Sequence, residues 1–127
     1  KLRAESTIEN TTTVTNVWKV PLTRATGNPQ SVATLDTFDK TTHRSAFYNV
    51  TISDSNAGAL GNYETCELRV IHDGTDSYIS VFGRTSSSGS DLVTFTTDVS
   101  GNDVRLRGAI STTNDHVVTV VRRLVNL

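Results

Sequence analysis

The sequence predicts an all-β fold, and three observations support this. Its 127 residues fit one domain with a single hydrophobic core. It holds 21 Thr and 13 Ser but 4 Glu and no Met, a composition that favours half-exposed strands over helices. From Ser31 onward, short alternating segments are separated by turn-forming residues. We therefore expect an antiparallel β-sandwich with a jelly-roll-like arrangement.

Seven segments carry the strand pattern. Asp73-Gly74 and Ser100-Gly101-Asn102 each stand between two of them and predict tight hairpins. The last segment is apolar on both faces, which is typical of a strand that is central or covered by another chain. The predicted strands are Ser31–Leu35, Arg44–Asp54, Tyr63–Asp73, Ser77–Arg84, Leu92–Val99, Asp103–Ile110 and His116–Val125.

Residues 1–30 differ from the rest of the chain. Their periodicity is weak, and Pro21, Gly27 and Pro29 interrupt it. Thr13–Val20 alternates and can form a strand, but so small an apolar set could hardly fold alone. We interpret residues 1–30 as an extended N-terminal arm, a linker or a swapped strand, and residues 31–127 as the sandwich domain. The start at Lys1 and the absence of Met indicate a processed chain or part of a longer one.

Charge and composition argue against several classes of partner. The formal net charge of −1 gives no global field that would attract nucleic acid. The apolar runs are only a few residues long, so we expect no membrane insertion. Cys66 is the one cysteine, which excludes an internal disulfide and a multi-cysteine metal site and suggests a small core residue.

No catalytic motif is legible. The chain lacks GxSxG, GxGxxG and GxxxxGK[ST]. His43, His72 and His116 have no metal-ligating neighbours at short spacing, and we interpret them as polar residues that flank turns. Asp73 and Asp76 are the obvious calcium candidates, but the DxDxDG arrangement is absent. A glycosidase would need two carboxylates brought together by the fold, and Glu is scarce. We expect no enzyme and no cofactor.

Two sets of residues are candidates for binding. Phe47 lies opposite the presumed core face, Trp18 lies in the arm, and both are expected to bury against a partner subunit. The predicted subunit interface comprises Trp18, Val20, Phe47, Val117 and Val121. The alternative is a sugar-binding loop, in which an aromatic platform stands beside amide side chains: Asn56, Asn62 and Tyr63.

Arginines could add a small basic patch. Arg105 and Arg107 project from one face of a predicted strand, and Arg122-Arg123 lie on the last one. Solvated strand faces that pair with nearby carboxylates are the alternative interpretation.

Three segments carry a resemblance to a known family. They read TLDTFDKTTHRSAFYNVTISD, CELRVIHDGTDSYISVFGRTSSSGSDLVTFTTDVSGNDVRLRG and STTNDHVVTVVRRLV. They resemble a C-terminal β-domain of virion structural proteins of tailed phages, notably marine cyanophages. The family pattern is matched by Asp36 to Tyr48, by the VIHDG hairpin and by Phe95 to Leu106. The resemblance covers roughly three quarters of the chain, from Thr34 to Val125.

The resemblance implies a virion location and a β-rich module of a tail fibre, baseplate, neck or capsid-surface protein. Such modules are usually symmetric homo-oligomers, so a homotrimer that also contacts other virion proteins is expected. The alternative is a module at a fibre tip that recognises host-surface carbohydrate. A capsid decoration protein would share the same Ser/Thr-rich composition.

Overall fold

The chain forms eight strands within the described residues, which are 13–23, 32–54, 61–111 and 114–127 of a computed structural model, with side chains described from Asn16 onward. No helix in these ranges has the length and apolarity to span a bilayer. The strands are β1 (Thr13–Leu22), β2 (Val32–Asp39), β3 (His43–Asp54), β4 (Tyr63–His72), β5 (Ser77–Ser86), β6 (Val93–Ser100), β7 (Asp103–Ile110) and β8 (His116–Asn126).

The strands build two antiparallel sheets. The larger sheet has the order β1-β8-β3-β4-β5, and the smaller one has the order β2-β7-β6. All strand pairs are antiparallel. This confirms the predicted antiparallel β-sandwich. Strand β8, apolar on both faces, lies between β1 and β3, so its backbone hydrogen-bonding groups face a strand on each side.

The core lies between the two sheets and follows the period-two pattern. Along β4, every second residue is buried without exception. Cys66 is among those buried residues, and burial raises the pKa of its thiol to about 11. The largest apolar side chains that are almost completely inaccessible are Leu22, Tyr48, Ile52, Leu68, Leu92, Leu106 and Ile110, and Phe38 and Phe95 are also buried in this core.

Both predicted hairpins are confirmed. At the β6–β7 turn, Ser100 pairs with Asp103, and Gly101 has a φ of 61° that residues with a side chain rarely adopt.

At the β4–β5 turn, the Asp73 carboxylate accepts hydrogen bonds from the N–H groups of Asp76 and Thr75 and from the Tyr78 hydroxyl. These bonds hold the pKa of Asp73 at about 2. The carboxylate that the sequence suggested as a calcium ligand therefore stabilises the turn by accepting its hydrogen bonds.

Two β-bulges change which residues face the core. In β2 the register shifts between Thr34 and Asp36, so Leu35 and Phe38 are both buried and the strand extends past the predicted end at Leu35. In β5 an extra residue lies opposite Cys66, at Gly83 with a φ of 68°. This second bulge turns Arg84 toward the interior.

Two buried polar groups connect the sheets. Glu64 of β4 accepts a hydrogen bond from the Leu92 N–H at 2.7 Å and pairs with Arg84, which also donates to the Val93 carbonyl at 3.0 Å. The second group consists of Asp36 of β2, Tyr48 of β3 and Arg122 of β8.

Asp36 accepts a hydrogen bond from the Tyr48 hydroxyl at 2.7 Å and from Arg122 Nη1 at 2.8 Å. Burial raises the pKa of Asp36, and this outweighs the opposing effects of Tyr48 and Arg122. Because the folded state then binds the proton more tightly, stability falls as the pH rises from 3.8 through the raised value. The same Arg122 donates to Asn16 of the neighbouring β1 at 2.7 Å, and its bond to Asp36 of β2 links the larger sheet to the smaller one.

His72 ends β4 and His116 begins β8, so both flank connections between strands, as the sequence suggested, and both are buried. His72 is 3% exposed. Its Nε2 lies 2.7 Å from the His43 carbonyl oxygen, and its Nδ1 accepts a hydrogen bond from the Gly74 N–H. The ring therefore fixes the start of the β4–β5 turn from inside the sandwich. His116 is 1% exposed.

Part of the predicted arm is a strand of the sandwich. β1 pairs with β8 along its whole length. Trp18 Nε1 donates to the Leu35 carbonyl at 3.1 Å, and both Trp18 and Val20 pack against the core. Residues 1–12 and 24–31 lie outside the described ranges. The division into 1–30 and 31–127 stays a prediction, as does the jelly-roll arrangement.

Candidate functional site

The outer face of the larger sheet carries a row of alternating arginine and aromatic side chains. The strand register sets Phe47 of β3 directly between Arg123 of β8 and Arg69 of β4. Each guanidinium carbon lies close to the Phe47 ring centroid, at 5.0 Å for Arg123 and 5.2 Å for Arg69. Arg69 also lies 5.2 Å from the ring centroid of Phe82 on β5. The side chains therefore stack in the order Arg123, Phe47, Arg69, Phe82.

This stack borders a groove of about 260 Å³. Asn49 and Glu67, a cross-strand pair, lie in the next row of the sheet and line the groove with Val121. A second hollow of about 380 Å³ shares Phe47 and Arg69 with the first. It extends to Ile71 and Tyr78, whose side chains are exposed. The two hollows make one continuous apolar and polar surface, called here the Arg/Phe groove.

The two arginines of the groove differ from Arg84, Arg105, Arg107 and Arg122, which all form ion pairs. Arg69 and Arg123 are exposed, and neither forms an ion pair with a carboxylate of the described residues. By contrast, Arg105 pairs with Asp98 at 2.6 Å on the smaller sheet, and Arg107 lies 3.8 Å from the same carboxylate. Asp98 therefore pairs with both arginines of the suggested basic patch, whereas the guanidinium groups of the groove have no such carboxylate partner among the described residues.

The geometry suits binding of a polar ligand with some apolar surface. Stacking on an aromatic ring stabilises a guanidinium by about 0.5–1 kcal/mol at an exposed site and leaves its N–H edges free to donate. Asn49 can donate and accept hydrogen bonds, and the Glu67 carboxylate can accept them. Among the described residues, no group of three His, Cys, Asp or Glu is placed to hold a metal ion.

The predicted interface residues fall on two different faces. Phe47 and Val121 line the Arg/Phe groove, and Val117 lies on the same outer face of β8. Trp18 and Val20 point the other way and are partly covered by the core. A role in subunit contacts stays a prediction for all five.

The predicted ligand loop is only partly described. Asn56 lies outside the described residues. The Asn62 carbonyl accepts a hydrogen bond from the Asp54 N–H at 3.0 Å, and Tyr63 begins β4 with its side chain 51% exposed. Tyr63 is bonded to Ser87 through its backbone and does not line the Arg/Phe groove.

Sequence reasoning missed the groove as a unit. Of the residues that line the groove, Phe47 and Val121 were predicted to bind, as part of a subunit interface, whereas Phe82 was not singled out. A signal for Arg123 was present, because neighbours on a strand face opposite sides and Arg122 and Arg123 must diverge. The sequence of a single strand does not specify the cross-strand register that places these arginine and aromatic side chains in one row.

Comparison with known proteins gives fold neighbours alone. No protein-family model matches the sequence, and no curated protein matches it. Among solved structures, the tailspike protein of Acinetobacter baumannii phage AM24 aligns with a TM-score of 0.53 at 13% identity, over 91% of this chain and 26% of that one. This chain therefore shares the fold of a segment of that tailspike and spans about a quarter of its length.

Two weaker matches are also tailspikes. The Acinetobacter phage vB_ApiP_P1 tailspike gives a TM-score of 0.45 at 20% identity, over 87% of this chain and 21% of that one. The tailspike of Acinetobacter baumannii bacteriophage Fri1, described as a capsular polysaccharide depolymerase, gives 0.39 at 16% identity, over 93% and 20%.

The expectation that the chain is no enzyme is contradicted by these neighbours, because they are tailspikes and one is described as a depolymerase. The reason for the error is chemical. Cleavage of a glycosidic bond needs two carboxylates that the fold brings together, and no short sequence motif records such a pair.

Proposed function

We propose that this chain is a β-sandwich module of a phage tailspike or tail fibre and that it recognises host-surface glycan through the Arg/Phe groove. The observation that carries the proposal is the stack of Arg123, Phe47, Arg69 and Phe82 on an exposed sheet face. The fold shared with a segment of the AM24 tailspike supports the phage context. A virion location follows from the same proposal.

The groove has the parts that a saccharide needs. Aromatic rings present apolar surface to the C–H groups of a sugar ring, as they do at other interfaces. Amide, carboxylate and guanidinium groups can together satisfy several hydroxyls, which would otherwise lose hydrogen bonds to water. The surface is shallow and spans four strands, so it fits a chain of sugar residues better than a small buried ligand.

Binding to an array of bacterial surface glycans tests the proposal. The wild-type chain is expected to bind at least one glycan, and Phe47→Ala is expected to weaken that binding about tenfold or more, because the ring supports both guanidinium groups. Tyr63→Ala is the matched control, since it removes an exposed aromatic residue of the same sheet outside the groove. If the wild-type chain binds no glycan of the array, the proposal is contradicted. If only Tyr63→Ala loses binding, the site lies at the predicted ligand loop instead of the groove.

A second proposed role is assembly of a homo-oligomer, with a trimer as the expected state. β1 is an edge strand of the larger sheet, and Val17 on its outer side is 66% exposed beside Val121. Edge strands with exposed apolar residues commonly pair with another chain. Contacts with other virion proteins would use the same edge.

Light scattering tests this second role. A trimer is expected for the wild-type chain, and Val17→Asp should dissociate it because a buried unpaired carboxylate is costly. Val32→Asp is the control, because Val32 is similarly exposed on β2 of the smaller sheet. A wild-type monomer contradicts assembly through β1, as does a trimer that survives Val17→Asp.

A further inference from the structure

The charge of the Arg/Phe groove points to one class of ligand. Two exposed guanidinium groups face one carboxylate there, that of Glu67, and neither guanidinium is neutralised by another carboxylate of the described residues. The whole chain carries a formal charge of −1, so the positive charge is local to this face. Such a local field favours an anionic ligand over a neutral one.

The stacking fixes how the guanidinium groups can act. Arg69 is held between two rings and Arg123 lies over one of them. A stacked guanidinium loses little further conformational freedom when it binds, and its planar fork matches the two oxygens of a carboxylate. Lysine at either position would supply the charge without this fork.

The spacing of the two groups argues for an extended ligand. The register places Arg123 and Arg69 on the strands to either side of Phe47, two strand spacings or about 10 Å apart, and each guanidinium carbon lies about 5 Å from the ring between them. A small anion cannot make close bonds to both at that separation. A chain with acidic groups on separate residues can.

Glu67 narrows the class further. Its carboxylate lies in the row next to the arginines and lines the same groove. It would repel a ligand with charge on every unit, such as a nucleic acid or a polyphosphate, but it can accept hydrogen bonds from hydroxyls. The surface therefore combines sites for separated carboxylates with sites for hydroxyls.

From this geometry we infer that the Arg/Phe groove binds an acidic oligosaccharide, with Arg69 and Arg123 each pairing a sugar carboxylate and Asn49 and Glu67 binding hydroxyls between them. This inference rests on the glycan recognition proposed above and adds the chemical class of the ligand. It makes Arg69 and Arg123 the residues that determine specificity. Phe47 and Phe82 act by positioning them.

The test uses bacterial oligosaccharides that contain uronic or sialic acid, each paired with its carboxyl-reduced form. Calorimetry on the full chain is expected to show binding of at least one acidic form. The affinity should fall about tenfold or more on carboxyl reduction, because the reduction replaces a hydrogen bond to a charged carboxylate with one to a neutral hydroxyl. Arg69→Gln and Arg123→Gln should each weaken binding of the acidic form about tenfold and should weaken binding of the reduced form much less, because a hydrogen bond to a neutral hydroxyl contributes less than one to a carboxylate. Binding should also weaken as salt is raised.

Lys19→Gln is the control, because it removes one positive charge from an exposed residue of the same sheet without touching the groove. A chain that binds neutral saccharides as tightly as acidic ones, or phosphorylated ones alone, overturns the inference and leaves glycan recognition standing. Binding that survives both arginine variants overturns it too. A chain that binds no saccharide at all overturns both proposals. Thermal unfolding of each variant shows whether the fold is retained.

Discussion

Replacing Arg84 with methionine is expected to lower the free energy of unfolding by about 3 kcal/mol or more, because it removes the guanidinium partner of a carboxylate, that of Glu64, inside the sandwich. The Glu64 side chain is fully buried, and Arg84 is 24% exposed. Arg84 also donates to the Val93 carbonyl, so its loss leaves an acceptor of the smaller sheet without that bond. Urea unfolding followed by circular dichroism measures the effect.

Two further variants separate the charge from the packing. Arg84→Lys keeps the charge and should cost less than Arg84→Met. The double variant Glu64→Gln with Arg84→Met should recover part of the loss, because the neutral amide oxygen can still accept the Leu92 N–H. A double variant that is less stable than Arg84→Met alone would contradict the role given to the buried charge.

Replacing Asp36 with alanine is expected to cost about 3 kcal/mol or more, for a related reason. The change removes the acceptor of the Tyr48 hydroxyl and the partner of Arg122, whose side chain is 17% exposed. Both groups then lie between the sheets without their main partner. Asp36→Asn keeps the size and one acceptor oxygen and should cost about 1–2 kcal/mol.

Asp98→Ala is the matched control for that experiment. Asp98 forms a bidentate pair with Arg105, at 2.7 and 2.6 Å, on the outer side of the smaller sheet. Its side chain is 41% exposed, so its loss should cost no more than about 1 kcal/mol. If Asp98→Ala and Asp36→Ala proved equally destabilising, burial would not be what gives the Asp36 group its importance.

The strands could be predicted from the sequence because one face of each sheet is buried, so that apolar and polar residues alternate along each strand. In β4 the alternation runs unbroken from Tyr63 to His72, and Cys66, which the sequence suggested as a core residue, is buried together with Leu68 and Val70. The β2 strand was predicted too short. A bulge shifts its inward phase after Thr34, so the polar run that looked like a loop continues as a strand.

The candidate site could not be predicted as a unit, because it depends on the register between neighbouring strands. Phe47, Arg69 and Arg123 come from three strands, and only the pairing of β3 with both β4 and β8 sets them side by side. The Gly83 bulge adds a second obstacle. It separates the outward Phe82 from the inward Arg84, a change of phase that strict alternation does not predict.

The most direct test of glycan binding in the Arg/Phe groove is to map a bound glycan by nuclear magnetic resonance. Titration of the isotope-labelled chain with a bacterial surface glycan that it binds should shift the backbone amide signals of Phe47, Arg69 and Arg123 together. The amides near Arg105 on the smaller sheet and near Tyr63 should stay unchanged. Shifts confined to the smaller sheet, or to the end of the larger sheet around Tyr63, would contradict the assignment of the Arg/Phe groove as the binding site.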